Sequence, residues 1–376
     1  MHGFQLSRTL FWAVIAFLAL LAFRPWIETL LIERAAVPRA VTARGELAAD
    51  ERATIAIFES VSPSVVYITT TNQLINPWTR NLSEVRRGTG SGFVWDDQRH
   101  IVTNWHVVAD ASAAWVRLAD QRSFRAELIG KSPAHDLAVL RISGAWQAPT
   151  QPVPIGRSAD LKVGQKVFAI GNPFGFDYSL TTGVVSALER TLYNERSGEI
   201  RGLIQTDAAI NPGHSGGPLL DSAGRLIGIN TAIFSTSGTF SGIGFAVPVD
   251  TINRVVPQLI AHGRYLRPRI GILGDDGVSR PILRQLGVEG VLVLGVGIGS
   301  PAERAGLIET RVGPAGEILP GDIIQRVDGQ AVSEMADLIH ILERYQVGDR
   351  VTLAILRDGR RLDVPIDLAG EAVGGD

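Results

Sequence analysis

The sequence predicts a mainly β protein: an all-β barrel or sandwich, then a smaller β-rich domain, with an apolar helix at the N-terminus. Three observations carry that reading. About a dozen short β-branched segments recur with turn residues between them and few helical stretches. Glycine is high, at 41 of 376 residues, as tight turns between short strands require. An unbroken apolar run, Leu10 to Phe23, stands apart from the rest. Composition sets the outer bounds. Lys and Arg number 36 against 38 Asp and Glu, a balance that argues against the basic face of a nucleic-acid binder. With 45% hydrophobic residues the chain can bury a sizeable core, and its length suits two or three domains. There is no cysteine, so disulfides, thiolate zinc sites, iron–sulfur clusters and a cysteine nucleophile are excluded.

The apolar run is close in length to a signal-peptide core, but no small-x-small cleavage site follows it closely. The first such site, Val41-Thr42-Ala43, lies well beyond it. An uncleaved membrane anchor over residues 1–27 is therefore favoured over a removed signal. Trp12 and Trp26 are placed for the two interfaces, and Arg8 and Arg24 can snorkel. The positive-inside rule does not settle orientation, because basic residues flank both ends. Residues 28–50 read as a stalk with some helix.

From residue 51 the folded part begins. Ala53–Ser60 has helical spacing, and Val65–Thr71 is a strand by its β-branched content. Asn72–Arg87 is polar and reads as a surface loop. Strand candidates follow at Gly92–Trp95, Ile101–Thr103, Ala114–Leu118, Phe124–Ile129, Ala138–Ile142, Lys166–Ile170, Ser179–Ser186, Leu203–Thr206, Pro218–Leu220, Leu226–Thr231 and Gly244–Val247. Val249–His262 has helical spacing and a Gly263 C-cap, which closes a first domain over 51–263. Tyr265-Leu266-Arg267-Pro268 reads as a linker into a second unit, 264–370. Its strands are placed at Ile270–Leu273, Gly290–Val296, Asp322–Val327, Arg350–Leu356 and Arg361–Ile366, with helical patches at Pro301–Ala305 and Met335–Arg344. Ala369–Asp376 reads as a frayed end, with residues 371–376 as tail.

The strongest chemical signal is Gly213-His214-Ser215-Gly216-Gly217-Pro218. A serine between glycines stands on a tight turn with bare backbone, so the N–H groups of Gly213 and Ser215 can aim at a developing oxyanion. Such a serine needs a base, and the base an orienting carboxylate. Of seven histidines, His106 at a strand end is the best placed, and Asp136 at the start of an apolar strand suits the carboxylate. Each feature alone is ordinary: a turn, a surface or core histidine, a strand-end acid. Together, in the order His, Asp, Ser on a β-rich chain, they match one of the convergent triad layouts. Gly213-x-Ser215-x-Gly217 formally fits the α/β-hydrolase elbow, but a proline and a strand follow where a helix is needed. Gly88-Thr89-Gly90-Ser91-Gly92 lacks the lysine of a phosphate loop and reads as a turn entering a strand. No ligand spacing points to a metal, and no cofactor is expected.

Gly90-Ser91-Gly92-Phe93, Thr103–Val108, Asp136–Leu140, Gly171–Gly175, Gln205–Gly217, Gly228–Thr231 and Gly242–Pro248 together resemble the HtrA (Deg) serine proteases over about residues 51–370. The resemblance implies a chymotrypsin-like double β-barrel followed by one PDZ domain, usually assembled as a trimer. It implies His106 as general base, Asp136 as its orienter, Ser215 as nucleophile, and an oxyanion hole at Gly213, His214 and Ser215. The family usually has Asn at position 214, and the change to His matters little if only the backbone is used. Ile210 and Ile233 match a shallow apolar S1 pocket. Ile270-Gly271-Ile272 matches the PDZ loop that binds a peptide carboxylate, and Arg311–Glu317 looks like an insertion. Phe174 and Arg190 match an activation cluster, and the polar Thr191–Arg201 loop is a candidate gate.

Within the family the chain is most like the membrane-anchored DegS type. That likeness implies an inner-membrane, single-pass protein with its domains in the periplasm. Its implied partners are a transmembrane anti-sigma factor as substrate and the C-termini of misfolded outer-membrane proteins as activating peptides. A quality-control protease with chaperone activity is the alternative within the family. A PDZ peptide-binding module carrying a dead barrel is the alternative from another class.

Overall fold

The computed structural model describes residues 3–35, 38–75, 82–144, 151–173, 177–194, 198–233 and 242–372. By its contacts the chain divides into two units, residues 1–49 and 50–376.

The first unit holds helix α1 (Gly3–Ala35). Within it Arg8–Leu30, 23 residues, is long and apolar enough to cross a membrane, and none of it is buried. At 1.5 Å per residue that stretch spans about 35 Å, more than the ~30 Å of a hydrocarbon core. The helix runs through Pro25 and into the segment read as stalk. Thr29 Oγ1 donates to the Pro25 carbonyl (2.7 Å), and Arg24 pairs with Glu28 (2.8 Å).

The second unit opens with α2 (Ala49–Val61) and two six-stranded closed barrels. The first comprises β1 (Val65–Ile75), β2 (Leu82–Val94), β3 (His100–Thr103), β4 (Ala113–Arg117), β5 (Ser123–Ser132) and β6 (Leu137–Ile142), closed in the order β1-β2-β3-β6-β5-β4. A single-turn helix α3 (Trp105–Val108) follows β3. The second comprises β7 (Lys166–Gly171), β8 (Ser179–Asn194), β9 (Gly198–Thr206), β10 (Pro218–Leu220), β11 (Leu226–Ile233) and β12 (Gly244–Pro248), in the order β10-β11-β12-β9-β8-β7.

Strand periodicity explains why several of these strands read as continuous apolar runs. Val66, Ile68, Val94, Ile101, Ala138 and Leu140 fill the first barrel, while their neighbours Val65, Phe93, Val102, Leu137 and Val139 face a seam between the barrels. The second barrel alternates likewise: Val167 and Ala169 point in, Phe168 and Ile170 to the seam. Both faces are buried, so neither carries polar residues. Helix α4 (Val249–His262) lays Val249, Ile252, Val255, Val256 and Leu259 into the same seam and ends at Gly263 with φ +73°. The seam is where the site forms.

The C-terminal part comprises β13 (Leu266–Arg269), β14 (Ile272–Leu273), helix α5 (Asp276–Leu286), β15 (Val291–Leu292), β16 (Gly295–Val296), helix α6 (Pro301–Arg304), β17 (Arg311–Val312), β18 (Ile318–Leu319), β19 (Ile323–Val327), β20 (Gln330–Ala331), helix α7 (Met335–Leu342), β21 (Arg350–Arg357), β22 (Arg360–Asp367) and β23 (Ala369–Ala372). Its main sheet runs β15-β19-β21-β22, with β20 on β19, over a core of its own.

Four expectations change. Tyr265 is not linker: it is 2% exposed and belongs to the protease-side core, while Leu266–Arg269 pairs with Ala369–Ala372. The C-terminal end is therefore a strand to Ala372 and not frayed there. The polar segments Asn72–Arg87 and Thr191–Arg201 are mostly hairpin arms, paired for example at Leu74↔Ser83 and Tyr193↔Glu199. The glycine run 88–92 lies inside β2 and is no turn.

Candidate active site

Asp136 is fully buried in the seam, and its surroundings explain its conformation. A single 3₁₀ turn, Pro133–His135, ends on Asp136 in the left-handed region (φ 51°) before β6 begins. That turn presents the Asp136 side chain and carbonyl to the end of β3. The carbonyl accepts the Trp105 N–H (3.1 Å) and Asn104 Nδ2 (3.0 Å). Its Oδ1 accepts the His106 N–H (2.9 Å), and its Oδ2 lies 2.7 Å from His106 Nδ1. Thr231 Oγ1 donates to the same Oδ2. A carboxylate that accepts from both the backbone and the ring of one histidine fixes the ring's tautomer and leaves Nε2 as the acceptor. His106 is part-buried, which keeps that nitrogen reachable. Thr231 is a site residue that sequence reasoning missed; it matched a family motif, but nothing in its spacing marked its hydroxyl.

Ser215 stands on the turn between β9 and β10. Four bonds fix how the peptides of this turn face. The Gly213 carbonyl accepts Ser91 Oγ (2.6 Å), whose oxygen in turn accepts the Asn172 N–H (2.9 Å). The His214 carbonyl accepts the Gly217 N–H (2.9 Å), and the Ser215 carbonyl accepts the Ser91 N–H (2.8 Å). Among the described residues, the N–H groups of Gly213 and Ser215 have no protein acceptor. Gly213 sits at φ +99°, and a Cβ there would come within 2.6 Å of Pro173 Cα, so both the backbone and the space call for glycine. Ser215 Oγ donates to the Thr231 carbonyl (3.3 Å) and is not bonded to His106.

Such an arrangement can deprotonate a serine hydroxyl at one edge and stabilise an alkoxide-like oxygen at the other, which is acyl-transfer chemistry. Residues 90–229 match the trypsin-like peptidase domain and residues 268–368 the PDZ domain. Protease Do-like 1, chloroplastic, of Arabidopsis thaliana is 50% identical over 324 residues, 86% of this chain and 73% of its own length. A probable periplasmic serine endoprotease DegP-like of Hahella chejuensis is 39% identical over 297 residues, 78% of this chain but 59% of its own length. The solved HtrA-type protease AlgW with decapeptide superposes with a TM-score of 0.66 at 32% identity, covering 85% of this chain and 98% of that one.

The chain belongs to the HtrA/Deg family of serine proteases.

As an HtrA/Deg protein it is a serine endopeptidase with a trypsin-like domain and a PDZ domain. The expected PDZ loop of this HtrA/Deg chain is Ile270-Gly271-Ile272. Ile270 is buried, its carbonyl accepts the Ala302 N–H (2.8 Å), and the Gly271 carbonyl accepts the Gly297 N–H (3.0 Å). Among the described residues the Ile270 and Gly271 N–H groups have no acceptor. Ile272 starts the strand edge β14, which pairs only with β16 among the described strands. Of the expected S1 pair, Ile210 is 1% exposed within the second barrel's core, while Ile233 pairs through its backbone with Gly244 and its side chain lies outside the described residues. Phe174 also lies outside them. Arg190 is on β8, its Nε bonded to Gln205 Oε1 (3.0 Å).

A cavity of about 810 Å³ lies between the second barrel and helix α7, and none of the three triad candidates lines it. Around it the PDZ helix meets the protease through His340 and Glu189 (3.8 Å) and through Arg201 and Glu334 (3.9 Å), while Arg267 of β13 pairs with Glu343 (2.6 Å).

Proposed function

We propose that the chain is a peptide-regulated endopeptidase in which Ser215 is the nucleophile, His106 the general base and Asp136 its orienter. The observation that carries this reading is the pair of bonds that Asp136 accepts from His106, set beside a serine turn whose Gly213 and Ser215 N–H groups have no acceptor among the described residues. Ser215 Oγ rotates from the Thr231 carbonyl to His106 Nε2, loses its proton there and attacks the scissile carbonyl. The Gly213 and Ser215 N–H groups receive the oxyanion, with His214 between them. His106 then returns the proton to the leaving amine, and water repeats the cycle on the acyl-enzyme. Asp136 keeps its charge throughout and stabilises the imidazolium. Ile210 and Ile233 belong to a small apolar S1 pocket, which favours cleavage after small aliphatic residues.

Regulation comes through Ile270-Gly271-Ile272, where N–H groups and a strand edge without a partner among the described residues suit a peptide C-terminus. Phe174 and Arg190 relay occupancy of that loop to the serine turn. The likeness to AlgW, over 98% of that chain, supports the DegS-type role. In that role α1 anchors a trimer in the inner membrane, the domains face the periplasm, and the substrate is a transmembrane anti-sigma factor. The activating ligands are C-termini of misfolded outer-membrane proteins. The quality-control reading is favoured by the DegP-like names of several relatives. The test is cleavage of a short peptide by the parent and by Ser215→Ala, each with and without C-terminal peptides. The expected result is stimulated cleavage by the parent and none by the variant; an active Ser215→Ala protein overturns the assignment. Stimulation of a substrate that lacks a PDZ-binding tail separates gating from tethering.

A further inference from the structure

His214 occupies the centre of the serine turn, and its side chain is bonded as well as its backbone. It is 3% exposed. Its backbone N–H donates to the Asn211 carbonyl (2.9 Å), and its ring Nδ1 accepts the Asn211 N–H (3.4 Å). Nε2 lies 3.0 Å from Ser179 Oγ at the start of β8. An acceptor at Nδ1 requires the proton on Nε2, so the ring is neutral and donates to Ser179. Close packing holds it there: a Cβ on Gly171 of β7 would stand 2.9 Å from both His214 Cα and Cδ2. The ring lies on a patch of strand that only glycine leaves open.

We infer that the neutral His214 imidazole is a positioning residue for the oxyanion hole: Nε2–H ties the Gly213–Ser215 turn to Ser179 of β8, and Nδ1, an acceptor that titrates, holds the turn to the Asn211 N–H. The inference rests on the reading of the Gly213 and Ser215 N–H groups as oxyanion donors. Protonating Nδ1 would set a new N–H against the Asn211 N–H and place a cation in a buried site. Burial already holds the His214 pKa below the ordinary histidine range. The charged groups on the packed elements are Lys166 of β7, Glu189 and Arg190 of β8, and Asp177 and Asp207 beside them. Among the described residues none of these charged groups bonds to or pairs with the ring, whose partners are Asn211 and Ser179. Acid should therefore break the Nδ1 hold on the Asn211 N–H and loosen the turn, while the Nε2–H bond to Ser179 persists.

The experiment is the pH profile of kcat/KM on a short peptide for the parent, His214→Asn and His214→Phe. Protonation of one base gives an acid limb that falls about tenfold per pH unit. The parent should steepen towards about 100-fold per unit at its acid end, where both histidines are charged. His214→Asn, whose amide oxygen accepts but does not titrate, should keep the single-proton limb. His214→Phe fills the ring's volume without an acceptor and should lose roughly 10²-fold in kcat at every pH with KM little changed, the scale of one lost oxyanion donor. A parent limb of slope one, identical to that of His214→Asn, overturns the inference even if the phenylalanine variant fails to fold. Failure of the underlying reading looks different: Ser215→Ala would then cleave as fast as the parent.

Discussion

Glu343, the residue that ends the PDZ helix α7, lies 3.9 Å from His135, the neighbour of Asp136 in sequence. His135 is 7% exposed; its Nδ1 meets Ser132 Oγ (2.8 Å) and its ring stands edge-on to Tyr265 at 4.9 Å. The PDZ domain thus touches the turn that shapes the buried carboxylate. Burial pushes the His135 pKa down to about 4; Glu343 opposes this and Arg254 and Arg267 add to it. The unfolded chain therefore takes up this proton near the ordinary value of 6.5, while the folded chain resists it to about 4. Stability contributed by the neutral ring is complete above the higher value and is lost as pH falls through the window. At pH about 4.5 the loss amounts to roughly 2–3 kcal/mol. Urea unfolding at neutral and acid pH should show this drop in the parent and a smaller one in His135→Gln, which keeps a partner for Ser132. Equal drops would contradict it.

Asp136→Asn should lower kcat by roughly 10⁴-fold with the fold intact, because the amide would favour the wrong histidine tautomer. Thr231→Val removes one donor to the same buried carboxylate and should cost about 1–3 kcal/mol in stability. Peptide-cleavage rates and denaturation of the two purified variants check both, and a fully active Asp136→Asn would refute the role of the carboxylate.

Tyr265→Ala should destabilise the protease core by about 3–5 kcal/mol, the usual scale for a deleted buried aromatic. Its phenol is held by burial above the ordinary tyrosine pKa, in keeping with a core position. A loss below ~1 kcal/mol would restore the linker reading. Truncations meant to isolate the barrels must keep this residue.

Arg190→Ala should blunt stimulation by C-terminal peptides while peptide affinity stays nearly constant. Coupling between two sites is typically ~1–3 kcal/mol, so the ratio of stimulated to basal rate should fall by about 5–150-fold at most. Titration calorimetry with a parallel rate measurement separates this from lost binding, which would move affinity instead.

The mature protein should retain its N-terminus and sediment with membranes, since Arg8–Leu30 is fully exposed and long enough to span. An N-terminal sequence beginning just after Ala43 in a soluble fraction would contradict the anchor.

Much of this was legible in the sequence wherever local pattern and burial agreed. Strands such as Ala138–Ile142 announce themselves because both of their faces are buried, one in a barrel and one in the seam. The outer arms of β8 and β9 do not: Leu192 packs partly against the core, but Thr191 and Tyr193 beside it are exposed, so the segment reads as polar loop. Helix α5 was hidden by Gly277 and Pro281, although Asp275, whose side chain accepts the Gly277 and Val278 N–H groups, was a usable N-cap signal. Ser215, His106 and Asp136 could be found because each carries chemistry in its residue type. The side-chain role of His214 and the Thr231 hydroxyl bond could not be, because both depend on a seam that joins residues distant in the chain.

The central claim is that Ser215 is made nucleophilic by His106 and Asp136. Its most direct test is intact-mass measurement after reaction with a serine-directed fluorophosphonate. The parent should gain a single adduct that maps to Ser215, His106→Ala should label far more slowly, and Ser215→Ala should not label. An adduct at another residue, or equal labelling of His106→Ala and the parent, would contradict the account.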